Sequence, residues 1–188
     1  PPRSTLFPYT TLFRSDVQNV LTGGFEMGNI WYNEPKTLDV AFDVIGDIVL
    51  SAASQQYGGF TVPSVDLILE PYAEKSYNRA LAKYERLGVS ADVAEREALA
   101  DVKKEFEQGF QGWEYKFNTV ASSRGDYPFI TVTAGTGTGK FAQMATITML
   151  EVRRKGQGKK DHKKPVLFPK RSEEHTSELQ HLVISYAV

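Results

Sequence analysis

Cysteine is absent from all 188 residues. That excludes a disulfide framework, a thiolate zinc or iron-sulfur site, and a cysteine nucleophile or thiyl radical carried by this chain. Histidine is scarce, with three in the whole sequence. No run approaches the ~18 uninterrupted apolar residues that a membrane-spanning helix needs. Charge of one sign does not prevail either, because 22 Lys and Arg face 23 Asp and Glu for a formal net charge of -1. Such a balance gives no global attraction to a polyanion, so direct nucleic-acid and membrane partners are not expected and any charged site has to be local. Present in ordinary amount are hydrophobic residues at 41% and aromatics at 12%, enough for the core of one globular domain.

The two ends differ from the middle. Thr5 to Ser15 reads TLFPYTTLFRS and Arg171 to Gln180 reads RSEEHTSELQ. Both strings resemble the translation of common short-read sequencing adapters, so residues 1–15 and 171–188 are expected to be adapter-derived tails, set aside before the fold is considered. The interpretable protein is then residues 16–170, with 19 Lys and Arg against 20 Asp and Glu. Its one histidine, His162, sits among Lys159, Lys160, Lys163 and Lys164. It reads as a solvated loop residue without a second metal ligand nearby.

Within those bounds, Leu38, Ala41, Phe42, Ile45, Ile48 and Val49 recur at three- and four-residue intervals and predict a helix over Thr37 to Ser54. A second helical stretch spans Ser64 to Leu87, where Pro71 should kink it or begin a new helix. Ser90 can cap a third, long helix whose stripe of Val102, Phe106, Phe110, Trp113, Phe117 and Val120 suits a core. Phe129 to Ala134 alternates as a strand, Gly135 to Gly139 forms a turn, and Lys140 to Lys155 is helical again. A basic loop, Lys155 to Lys164, leads to Val166-Leu-Phe168, read as the start of another strand. Long helices alternating with short strands give a helix-rich α/β architecture.

Two segments are candidates for chemistry. In Ala134-Gly-Thr-Gly-Thr-Gly-Lys140-Phe141 a glycine-rich turn between strand and helix could aim backbone N–H groups at phosphate. It is not a P-loop: Ala134 and Phe141 stand where that motif needs Gly and Ser or Thr. A looser phosphate contact and a purely structural turn both remain. The second segment, Phe117 to Gly125 followed by Pro128-Phe129, gathers Asn118, Thr119, Ser122, Ser123 and Arg124 at a strand entrance. These groups suit ribose or phosphate recognition, and equally suit helix-end capping. The acidic run Glu95, Glu97, Asp101, Glu105 and Glu107 reads as the solvated face of the long helix. No catalytic carboxylate pair stands out.

Taken together, Leu21-Thr-Gly-Gly-Phe-Glu-Met-Gly-Asn29, Pro35-Lys36, Gln56-Tyr-Gly-Gly-Phe60, Leu69-Glu-Pro-Tyr72, Phe117-Asn-Thr119, Gly125 with Pro128-Phe129, and Pro165-Val-Leu-Phe-Pro-Lys170 resemble the anaerobic, class III, glycyl-radical ribonucleoside-triphosphate reductases, over essentially all of residues 16–170. The resemblance implies a central piece of an α/β barrel in which ribonucleoside triphosphates are reduced to deoxyribonucleoside triphosphates by glycyl and thiyl radical chemistry. It implies a radical-SAM activase as partner, zinc in the C-terminal region, ATP and deoxynucleotide effectors, a homodimeric parent and a cytoplasmic location. One active-site cysteine is expected a few residues before Asp16 and the other beyond Lys170, so the isolated chain is expected to be inactive. Asn118, Thr119, Ser122, Ser123, Arg124 and Gly125 match the family block leading into a barrel strand and are expected to line or shape the nucleotide site. The helices over Thr37–Ser54 and Ser64–Leu87 resemble the region near the dimer interface where effectors bind. Thr133-Ala134-Gly135 departs from relatives, which often carry an aromatic residue before the glycine. The competing expectation is a non-enzymatic α/β nucleotide-binding or interaction module that shares only the helix and strand pattern.

Overall fold

Strands too short to stand alone are held here between long amphipathic helices. The computed structural model describes residues 14–54, 60–119, 127 and 129–173. The element order is α1 (Arg14–Gly23), β1 (Phe25–Met27), β2 (Ile30–Tyr32), α2 (Leu38–Ser54), β3 (Phe60–Val62), α3 (Val65–Arg86) and α4 (Ala91–Thr119). Then follow β4 (Ile130–Ala134), α5 (Lys140–Lys155), β5 (Gln157–Lys159), β6 (His162–Lys164) and β7 (Lys170–Glu173). The main sheet has order β3-β4-β7 with both pairings parallel, Val62 opposite Val132 and Val132 opposite Arg171. Helical crossovers between parallel strands make this a helix-rich α/β fold, as the sequence implies.

The core is aromatic where α2 meets α4. The Phe42 ring packs edge-on against Phe110 and Trp113, each at 4.9 Å between centroids, and such pairs contribute about 0.5–1.5 kcal/mol each beyond the area they bury. Gly109 makes the approach possible, since a Cβ there would overlap the Phe42 ring. Trp113 Nε1 donates to the Phe42 carbonyl at 2.8 Å, which satisfies the one polar atom of a buried indole. Pro71 lies inside α3, which continues through it as one helix up to Arg86. Gly88 (φ +74°) ends that helix, with its N–H on the Glu85 carbonyl at 3.0 Å.

Three sequence readings change. The acidic run is not simply solvated. Glu105 accepts from the buried Ser76 hydroxyl at 2.7 Å, Ser76 Oγ in turn accepts the Leu38 N–H at 2.9 Å, and Asp101 accepts from Tyr84 at 2.9 Å. These carboxylates fasten α4 to α3 and to the start of α2. The basic stretch after α5 is not an irregular loop, because Lys159 pairs with His162 and Gln157 with Lys164 in an antiparallel hairpin. The strand expected from Val166–Phe168 runs instead over Lys170–Glu173. Pro165 and Pro169 have no N–H to give a ladder, and both backbone groups of Phe168 are taken by the Asn118 side chain. Strand β7 and helix α1 therefore cross the boundaries expected at residues 170 and 16.

Candidate nucleotide-site region

A parallel sheet presents ligands at the carboxyl ends of its strands, where chain and helix N-termini diverge. Here that edge is built from Ser64 and Asp66 after β3 and from Gly135 to Gly139 after β4. Asp66 is fully buried, and its Oδ2 accepts the N–H groups of Gly137 at 2.8 Å and Gly135 at 3.1 Å. Among the described residues its Oδ1 has no hydrogen-bond partner, nor has the buried Thr136 hydroxyl. Ser64 adopts a left-handed backbone (φ +47°) and donates its N–H to Thr133 Oγ1 at 2.9 Å. A Cβ at Gly137 would overlap that of Ala142, and one at Gly139 would overlap the Glu70 carboxylate.

The glycine-rich turn is thus folded onto two carboxylates of α3. Its N–H groups already hold an anion, the protein's own, and a phosphate brought to the same donors would meet Asp66 and Glu70. Lys140 lies 3.9 Å from Glu95 and over the Tyr77 ring at 5.8 Å, turned to α4 and α3 instead of a ligand. Two of the turn's N–H groups, those of Gly135 and Gly137, are thus bonded within the protein.

Of the residues expected to shape a nucleotide site, Asn118 and Thr119 lie at the other end of the strands. Asn118 Nδ2 donates to the carbonyls of Phe168 and Glu114, both at 2.6 Å, and its Oδ1 accepts the Phe168 N–H at 3.1 Å. Thr119 donates to the Tyr115 carbonyl at 2.7 Å. Asn118 therefore joins the end of α4 to the entrance of β7. Ser122, Ser123, Arg124 and Gly125 lie outside the described residues. Beside Asn118 the sequence concealed a buried charge cluster. Glu114, fully buried, accepts from Arg171 Nη2 at 3.0 Å and from Gln157 at 2.6 Å, with Arg153 Nη1 at 3.8 Å. Burial, partly offset by Glu114 and reinforced by Arg153, lowers the Arg171 guanidinium to about 10.

Asp66 and Glu114 were both missed in the sequence, for one reason. Each sits on a helix among ordinary charged neighbours, and its partners are 39 to 71 positions away. A shallow cavity of about 470 Å³ beside the start of α2 is lined by Asn33, Glu34, Pro35, Lys36 and Lys75. Its charges are largely internal, Lys75 being 2.5 Å from Glu34. Burial first, and Glu34 second, push the neighbouring Tyr72 phenol up to about 12.

Comparison with known proteins decides what this region belongs to. A family model described as anaerobic ribonucleoside-triphosphate reductase matches residues 4–181. This chain belongs to that family. Curated members named anaerobic ribonucleoside-triphosphate reductase are 36% identical over 167 residues in Enterobacteria phage T4, 37% over 164 in Haemophilus influenzae and 32% over 169 in Escherichia coli K12. The matches cover 87–89% of this chain but 23–27% of those reductases, so the chain spans about a quarter of their length. The family consists of oxidoreductases of anaerobic metabolism, which agrees with the resemblance read from the motif blocks. Cysteine is absent from the sequence, and among the described residues no group of three or more His, Asp or Glu is placed to hold a metal ion. Among those residues no helix is long and apolar enough to cross a membrane.

Proposed function

We propose that residues 16–170 are the central part of the catalytic barrel of an anaerobic ribonucleoside-triphosphate reductase, an enzyme that converts ribonucleoside triphosphates to deoxyribonucleoside triphosphates. The observation that carries this reading is the family match along nearly the whole chain. Parallel strands β3 and β4, with helices on their connection, are compatible with adjacent staves of such a barrel. The family's glycyl radical and cysteine thiyl supply the hydrogen-atom chemistry, and neither group belongs to these residues, so the chain alone is inactive. An activase of the radical-SAM class, nucleotide effectors, a zinc site nearer the C-terminus, a homodimeric parent and a cytoplasmic location complete the proposal.

The chain's own contribution is the scaffold of the nucleotide region. Asn118 fixes where α4 ends relative to Phe168, and Thr119 closes the last turn of that helix. The connection that follows, with Ser122, Ser123, Arg124 and Gly125, is proposed to line the nucleotide site, where a guanidinium and small hydroxyls can bind phosphate and ribose oxygens. Residues 1–15 and 171–188 are proposed to be adapter-derived, so Arg171 stands in for a different native side chain opposite Glu114.

Transplantation tests the assignment. Residues 16–170 replace the matching quarter of the Escherichia coli reductase, and the chimera is activated anaerobically and assayed for deoxynucleotide. Product at a tenth of the parental rate or more is expected. A chimera that carries the glycyl-radical signal in electron paramagnetic resonance yet forms no product would overturn the assignment.

A further inference from the structure

Charge is distributed very unevenly over this chain. Residues 153–164 read RRKGQGKKDHKK, seven cations against one acid, while the whole chain has a net charge of -1. Twelve residues thus carry +6, and the remaining 176 carry -7. The stretch is also structured. Strands β5 and β6 form a two-stranded arm whose residues 159–165 are all exposed.

Its root is fixed to α4. Gln157 donates to buried Glu114 at 2.6 Å and accepts from Gln111 at 3.2 Å. Gly156 (φ +64°) and Gly158 (φ +136°) hold conformations that disfavour side chains, and a Cβ at Gly158 would lie 2.6 Å from the His162 carbonyl oxygen. Arg153 and Lys155 are spent on the body of the protein, near Glu114 and Glu107. Lys159, Lys160, Lys163 and Lys164 have no ion pair among the described residues. Because residues alternate along a strand, Lys159 and Lys164 lie on one face of the ribbon and Lys163 on the other, with Lys160 at the tip.

We propose that this arm is a contact surface for the phosphate backbone of duplex nucleic acid. Four lysines on both faces and the tip of a narrow ribbon suit a ligand with negative charge on two sides, as in a duplex groove about 12 Å wide. Lysine is depleted at protein–protein interfaces, which rely on aromatic and arginine anchors, and the exposed residues 159–164 include neither. The lack of an aromatic also removes the stacking platform on which unpaired bases are bound. The contacts carry no base readout, so binding is independent of sequence. This inference is separate from the reductase assignment, which rests on the family match and not on the arm.

Fluorescence anisotropy of a labelled 24-base-pair duplex titrated with the full 188-residue chain tests it. Neutralising about four phosphates predicts a logarithmic salt slope near -3.6, so that affinity falls roughly a hundredfold between 50 and 200 mM KCl. Combining Lys159→Gln, Lys160→Gln, Lys163→Gln and Lys164→Gln should abolish binding at 50 mM KCl without changing the helical circular dichroism. Lys36→Gln, on the β2–α2 connection, should leave binding unchanged. The proposal is overturned by absence of binding at 50 mM KCl, by binding that survives the fourfold variant, by preference for an unpaired oligonucleotide, or by equal competition from polyglutamate, which would mark the arm as a site for an acidic protein.

Discussion

Asp66 and Gly137 are 71 positions apart, yet the Asp66 carboxylate accepts the Gly137 N–H at 2.8 Å and thereby locks the turn after β4 onto the first turn of α3. With the second bond from Gly135, a buried anion holds two backbone donors. Hydrogen bonds to a charged group contribute about 1.5–3 kcal/mol each in favourable cases. Asp66→Ala is therefore expected to lower unfolding free energy by about 3 kcal/mol in urea titration. Asp66→Asn retains an acceptor and should cost less than half as much. Equal stability of Asp66→Ala and the parent chain would contradict this reading of the turn.

The same geometry predicts that the turn is closed to phosphate. Millimolar inorganic phosphate or triphosphate should leave amide exchange at Gly135 and Gly137 unchanged. Protection of those amides on phosphate addition would show that Asp66 can be displaced.

Glu114 is buried between Arg171 and Arg153. Removing one member of a buried ion cluster leaves the others uncompensated, at a cost of about 3–5 kcal/mol. Glu114→Gln should be destabilising by that amount. The double variant Glu114→Gln with Arg171→Met should recover a large part of it, since an apolar neighbour no longer needs the carboxylate. Additive effects in the double-mutant cycle would remove the pairing from the account.

Tyr72 supplies a pH dependence. Burial, with Glu34 adding to it, pushes its phenol up to about 12 in the folded chain from the ordinary 10.0. The folded state thus holds its proton more tightly than the unfolded state does. The associated stability is full below pH 10 and is lost as pH rises from about 10 to 12. Chemical unfolding across that window should show the loss in the parent chain and less of it in Tyr72→Phe. An unchanged slope in the variant would assign the effect to other groups.

The sequence made the helices legible because each buries one continuous stripe. The spacing of Leu38, Phe42, Ile45 and Val49 marks the face that α2 buries, with Phe42 against α4. It was equally clear that Ala134 and Phe141 break the P-loop pattern. What could not be read depends on partners far along the chain: Asp66 filling the glycine-rich turn, Gln157 rooting the basic arm, and Asn118 displacing the start of β7. Periodicity reports which face is buried, and carries no information on which distant backbone groups a buried polar side chain will satisfy. The hairpin of β1 and β2 also escaped, since three-residue strands give little alternation to detect.

Sequencing the source genomic locus across both ends tests the central claim most directly. The account predicts that TLFPYTTLFRS and RSEEHTSELQ are absent there, that a cysteine codon lies a few positions before Asp16, and that a second cysteine and a glycyl-radical loop follow Lys170. A locus that encodes both tails without a break, or an open reading frame lacking those cysteines and that glycine loop, would contradict it.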